Sequence, residues 1–212
     1  MSPKVTTAHE QGQRDRILDA ATRCFAARGF HEATIQDVCD GAGLSKGGLY
    51  TYFRSKDEIL AALIERSLTE AMTWATKAAG QGGPALQRLD RVAEAMIETV
   101  LGDTSKAHTP QLMLEVWAEA SKDPYLGDLL ARGYEQWRMF IAQLLREGIA
   151  GGEIRADLDP NVLAAIFVAI FDGLTLQESI TKTKVNWQHA VATLRSAFTE
   201  GILAPATSLR EG

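Results

Sequence analysis

A chain of 212 residues, 46% of them hydrophobic, is long enough to bury one large or two small cores. Its formal charge of −5, from 22 bases against 27 acids, excludes an evenly basic protein that coats nucleic acid through bulk charge. The imbalance is local: residues 1–60 hold eight Lys/Arg and eight Asp/Glu, so the whole acidic excess lies in the remainder.

Met1–Gly12 is polar and is read as a frayed lead, and no secretion signal is seen in it. From Gln13 to Arg28 the residues Ile17, Leu18, Ala21, Cys24 and Phe25 fall on one stripe at helical spacing, and Gly29 ends that helix. Thr34 is a natural N-cap, and Asp37 three residues on completes a capping-box spacing for a second, short helix with Val38 and Cys39 inward. Gly43 marks a sharp bend, after which Ser45 caps a third helix whose inward residues are Leu49 and Phe53. The face left outward, Lys46, Gly47, Gly48, Tyr50, Thr51 and Tyr52, carries one cation, two phenols and almost no side chain at its start. Such a face suits a helix entering the major groove of DNA N-terminus first.

Ser55-Lys56-Asp57-Glu58 reads as a second capping box, opening a long helix over Lys56–Ala79. Gly80-Gln81-Gly82-Gly83-Pro84 is the clearest break in the chain, and a helix follows from Pro84 to Leu101. Three further helices open at an N-cap followed by proline: Thr109-Pro110 to Ser121, Asp123-Pro124 to Ala150 and Asp159-Pro160 to Thr181. Asn186 caps a last helix, to Leu203. No segment alternates with period two, so the predicted fold class is all-α: an N-terminal three-helix helix-turn-helix domain over 1–55, and a larger helical domain over 56–212.

The run Thr34–Phe53 with Arg54-Ser55-Lys56-Asp57-Glu58-Ile59-Leu60 resembles the DNA-binding segment of the TetR family of transcriptional regulators. Its most specific part is Leu49-Tyr50-Thr51-Tyr52-Phe53-x-x-Lys56 with Gly43 six residues before Leu49. A weaker likeness to the C-terminal domain of one TetR subgroup runs from Trp117-Ala118-Glu119-Ala120 through Gly148 and over Gly152–Pro160. The resemblance implies a homodimer on a pseudo-palindromic double-stranded DNA operator, repressing transcription until a small molecule releases it. It also implies an inducer pocket within the larger domain, and a dimer interface built from the last two helices.

The candidate DNA-binding residues are Thr34, Gln36, Ser45, Lys46, Gly47, Gly48, Tyr50, Thr51, Tyr52 and Lys56. Lys46 is the candidate for base readout at guanine O6/N7, while Tyr52 and Lys56 are read as phosphate contacts. Each of two glycines inside a helix costs on the order of 1 kcal/mol relative to alanine. Close approach of the backbone to DNA accounts for Gly47 and Gly48, with a merely frayed first turn as the alternative. The family carries a hydroxyl or methyl at the Gly48 position in many members, so a base contact is expected to be missing there.

Trp74, Met96, Met113, Trp117 and Trp137 are the candidates for the effector pocket, because large aromatics and adaptable methionines recur in apolar sites; the ligand they imply is small and apolar or aromatic. Val162–Phe171 is apolar all round the helix, and Trp187, Ala190, Val191, Leu194 and Phe198 make a wide stripe on the last one. The candidate dimer residues are therefore Phe167, Phe171, Leu174, Val191, Leu194 and Phe198.

Gly41-x-Gly43-x-x-x-Gly47 is rejected as a dinucleotide fingerprint because a capped helix, not a strand, precedes it. His9, His31, His108 and His189 are scattered, Glu115 and Glu119 are read as a solvated helix face, and no catalytic or metal-ligating constellation stands out; no cofactor, no metal and no enzyme activity are expected. Cys24 and Cys39 read as small buried hydrophobes in a reducing cytoplasm, with a redox pair as the alternative. The apolar run Val162–Phe171 is too short to span a bilayer, so no membrane partner is expected. Two rival readings remain: a DNA-binding or scaffolding dimer without a ligand pocket, and a helical enzyme.

Overall fold

The computed structural model describes residues 7–101 and 110–197. Among these residues the chain forms helices and no strand: α1 (Thr7–Arg28), α2 (Ile35–Ala42), α3 (Lys46–Tyr50), α4 (Lys56–Ala79), α5 (Ala85–Leu101), α6 (Pro110–Ala120), α7 (Pro124–Ala150), α8 (Pro160–Thr181) and α9 (Trp187–Ala197). The fold is all-α, as the periodicities require. Two elements differ from the sequence reading. α1 already begins at Thr7, six residues before the Gln13 start read from the sequence, and α3 is only five residues long.

Local chemistry sets the helix ends. Asp159 caps α8 by accepting from the amides of Asn161 and Val162, with Pro160 in the first turn. Asp123 accepts from Tyr125 and Leu126 at the start of α7, and Asn186 from His189 at the start of α9. The start of α5 is capped from a distance, since Glu153 accepts the Ala85 and Leu86 amides at 2.9 and 3.0 Å. Arg88 and Arg91 bond the Ala79 and Ala78 carbonyls at the end of α4, each at 3.0 Å.

Packing divides the described residues into two compact units. Of these, the first takes 7–69 with 110–130, the second 70–101 with 131–197. This division does not follow the 55/56 boundary, because α4 and α6 supply part of the first core. That core joins Ile17, Leu18, Phe25, Phe30, Val38, Leu49 and Phe53 to Ile59, Leu60 and Leu63 of α4, and to Leu112 and Val116 of α6. The second unit holds two smaller clusters, one around Ile141, Leu145, Ile154 and Leu163, the other around Ala75, Ala79, Val92 and Leu144.

α8 spans 22 residues and is by length and composition sufficient to cross a bilayer, whereas the Val162–Phe171 run alone is not. Here Leu163 and Ala164 are buried beside Ile141, Ala142 and Ile154, while most of the helix is only partly buried or exposed. Both cysteines are unpaired thiols, and burial pushes each of them up in pKa, with the Asp37 charge adding to the effect at Cys24. Such thiols stay protonated and poorly nucleophilic, which supports the buried-hydrophobe reading.

The bend between α2 and α3 rests on Gly43, at φ +65°, whose amide donates to Asp40 O and Cys39 O. A Gly43→Ala chain is expected to lose about 1–2 kcal/mol of stability in a urea titration, because a Cβ disfavours that left-handed conformation.

Candidate nucleic-acid interface

The helix-turn-helix is assembled by capping before it is assembled by packing. Thr34 Oγ1 accepts from the Asp37 amide, and the Asp37 carboxylate accepts from Thr34 N at 2.9 Å and Thr34 Oγ1 at 2.7 Å. These Thr34 hydrogen bonds, with Arg28 at 2.7 Å adding its charge, hold the Asp37 carboxyl below its ordinary value. Ser45 Oγ accepts from Gly48 N at 3.1 Å, starting α3. After Tyr50 the chain continues as turns, Leu49 O taking both Tyr52 N and Phe53 N, which returns fully buried Phe53 to the core.

The outer face of α2 and α3 then follows. Gln36, Ser45, Lys46, Gly47, Tyr50 and Thr51 are exposed, Gly48 and Tyr52 half-buried, and Leu49 buried. Gln36 Nε2 bonds Asp40 at 2.7 Å, and Thr51 Oγ1 donates to Gly47 O at 3.0 Å. A Cβ built on Gly47 meets nothing within 4 Å, so no internal contact asks for glycine there. At Gly48 a Cβ would approach Ser45 Oγ at 3.4 Å, an ordinary contact.

The cations of the unit divide into two sets. Those of α1 brace the helices from inside: Arg14 bonds Tyr52 O at 3.0 Å and lies 4.3 Å over the Phe53 ring. Arg16 bonds Ala42 O at 2.8 Å, Arg23 reaches Gly41 O at 3.5 Å, and Arg28 pairs with Asp37. The side chains of Lys46 and Arg54 are exposed and carry no hydrogen bond or ion pair among the described residues. Arg54 escaped the sequence reading. Its one signal was its place just before the Ser55 cap of α4, where Ser55 Oγ accepts from Glu58 N and Glu58 accepts from Arg54 N.

Lys56 takes a role other than the phosphate contact assigned to it. Its ammonium donates to the carbonyls of Phe30 (2.6 Å), His31 (3.1 Å) and Ala33 (3.0 Å), and it sits 4.5 Å over the Phe30 ring. Three carbonyls occupy the three donors of an ammonium, so this lysine fastens the segment between α1 and α2. Glu115 and Glu119 of α6 are not a merely solvated face either. Glu115 accepts from the Phe30 amide, and a Cβ on Gly29 (φ +82°) would stand 2.7 Å from Glu115 Oε1. Glu119 meets His31 Nε2 at 3.1 Å and Lys122 at 2.9 Å, and the bond from Lys122 is the main reason its carboxyl lies below its ordinary value.

The remaining candidates separate. Trp74 and Trp137 are 5.5 Å apart by ring centroids, with Phe140 edge-on to Trp137, and the buried Trp74 Nε1 has no hydrogen-bond partner among the described residues. Met113 and Trp117 lie half-buried on α6, in the other packing unit. Met96, Phe167, Phe171, Leu174, Val191 and Leu194 line one cavity of about 130 Å³ among α5, α8 and α9. Five of the six dimer candidates thus turn toward α5, and Phe198 lies outside the described residues. The large apolar side chains that α8 exposes are instead Val162 (56%), Ile166 (42%) and Ile180 (64%).

Residues 17–63 match the family model of bacterial regulatory proteins, tetR family, and residues 85–203 match that of the BetI-type transcriptional repressor, C-terminal. The chain is 29% identical over 177 residues to the uncharacterized HTH-type transcriptional regulator YfiR of Bacillus subtilis, covering 82% of this chain and 83% of the relative. It is 28% identical to the HTH-type transcriptional repressor KstR2 of Mycolicibacterium smegmatis, covering 74% and 75%. Among solved structures, it is similar to a transcriptional regulator from Saccharomonospora viridis in complex with choline, with a TM-score of 0.79 and 28% identity over 90% of this chain and 97% of that one.

Replacing Glu115 by Ala strips the Phe30 amide of its charged acceptor, which is worth about 1.5–3 kcal/mol. Hydrogen–deuterium exchange should show that amide exchanging faster in Glu115→Ala than in the wild type, together with a loss of overall stability of that size.

Proposed function

The chain belongs to the TetR family and is a DNA-binding transcription regulator rather than an enzyme; from that premise we propose a homodimeric repressor that binds a pseudo-palindromic operator and is released by a small effector. The observation that carries the DNA-reading part is the pairing of an unpartnered Lys46 with an unobstructed Gly47 at the start of α3. Lys46 reads guanine O6/N7 in the major groove. Gly47 lets the backbone come close to the duplex, with Gly48 behind it. Tyr50, Thr51, Tyr52, Gln36 and Ser45 surround them, Arg54 takes the phosphate contact, and Thr34 and Lys56 hold the helices in position.

We divide the work between 1–55, which reads DNA, and 56–212, which binds the effector and the second subunit. The exposed Val162, Ile166 and Ile180 support self-association through α8, since Val162 and Ile180 lie about five full turns apart and so share one side of the helix. A dimer presents two copies of α3 about one helical turn of DNA apart, or a multiple of it. The effector is small and apolar or aromatic, and the Trp74–Trp137 pair with its partnerless indole N–H supports a ligand that stacks and accepts a hydrogen bond. Induction requires that ligand to favour the state that does not bind DNA; a tenfold preference amounts to about 1.4 kcal/mol. The regulator acts in the cytoplasm.

Three variants test this reading. Lys46→Ala combined with Tyr52→Ala should abolish footprinting protection of the operator, and Lys46→Ala alone should cost about 1–3 kcal/mol of binding and relax the preference for the guanine it reads. Retained protection by the double variant would sink the assigned contacts. Gly47→Ala should leave the protein as stable or up to about 1 kcal/mol more stable while weakening operator binding, a split that a merely frayed helix start does not produce.

A further inference from the structure

The cavity among α5, α8 and α9 has almost wholly apolar walls, with an aromatic pair, Phe171 and Trp187, whose ring centroids are 5.0 Å apart. Two charged residues interrupt it, Asp90 on α5 and Arg195 on α9. Their contact is loose, Arg195 Nη1 standing 3.9 Å from Asp90 Oδ2. Glu94, one turn along α5, adds a second negative charge that acts on Asp90. The one carboxylate in the lining thus has its guanidinium at arm's length and a second carboxylate acting on it from along α5, a setting that suits a cation better than an anion. Partial burial also pushes the Asp90 carboxyl up, a carboxylate whose desolvation its partner offsets only in part. At about 130 Å³ the space is close to the roughly 150 Å³ apolar cavity that takes up a benzene molecule.

We propose that this cavity is a binding site for a small apolar amine, a ring or short alkyl body seated against Phe171 and Trp187 with its protonated nitrogen on the Asp90 carboxylate in place of Arg195. Neither the Trp74–Trp137 pair nor the helix-turn-helix takes part, so the site stands apart from the proposed operator release. The nitrogen makes a charge-assisted hydrogen bond that a neutral isostere cannot make, and the ring faces add cation–π attraction.

The test is calorimetric titration of the full chain, without DNA, using benzylamine, benzyl alcohol and phenylacetate. Benzylamine should bind saturably and about tenfold more tightly than benzyl alcohol, and phenylacetate more weakly than either. Asp90→Asn should erase the amine's advantage while changing benzyl alcohol affinity by less than about twofold, and Arg195→Gln, which removes the competing cation, should tighten benzylamine about threefold. Equal affinity for amine and alcohol, tighter binding of phenylacetate, or an amine preference that survives Asp90→Asn would each overturn the proposal. If Asp90→Asn does not fold, Arg195→Gln decides: unchanged or weaker benzylamine binding overturns it. Because no duplex is present, failure of the operator reading leaves these outcomes untouched.

Discussion

The grip on residues 29–33 is the constraint on which the DNA-reading unit depends. This short segment leaves α1 and enters α2, and its backbone would otherwise display unsatisfied carbonyls and amides at two helix ends. Lys56 gathers the carbonyls of Phe30, His31 and Ala33 from the side of α4, and Glu115 takes the Phe30 amide from the side of α6. Phe30 itself is buried, edge-on to Phe25 at 5.2 Å, so the same few residues are tied by hydrogen bonds and by packing. Displacing α4 or α6 pulls on the entry to α2, whose capping box sets where the bend at Gly43 and the face of α3 point. The helix that reads DNA is only five residues long; its direction is borrowed from longer neighbours.

Electrostatics narrows what that helix can do. The arginines of α1 are occupied with carbonyls of α2 and the chain beyond α3, and with Asp37. A neutral N-terminal segment whose cations are mostly committed internally cannot hold DNA by bulk charge. On the proposed reading, affinity comes from a few placed groups, Lys46 and Arg54 first, from backbone approach at Gly47, and from two copies acting together.

Much of the fold was legible because its signals are local. The capping box at Thr34, the left-handed glycines and the proline starts of α6, α7 and α8 depend on residues within a turn of one another, and α4, α7 and α8 end where such signals put them. The missed features are non-local. Nothing near Lys56 in the chain indicates that its ammonium will meet carbonyls more than twenty residues earlier, and nothing near Glu115 points to Phe30. α8 illustrates a different limit. A helix apolar on every side has no period that tells which face is inward; Phe167, Phe171 and Leu174 line the cavity half-buried, while Val162, Ile166 and Ile180 are the large side chains it leaves most exposed. Arg54 drew no notice beside the more conspicuous Lys56, and only the partners of the two side chains set them apart.

The central claim is that two copies of one short, neutral reading unit act together on duplex DNA. Selection of duplexes from a random pool on the intact protein, followed by hydroxyl-radical footprinting of the winner, tests it most directly. The account predicts an inverted repeat with two protected patches related by two-fold symmetry, their centres about one helical turn or a multiple of it apart. A pool that yields no preferred duplex, or a winner protected as a single unrepeated half-site, would contradict it.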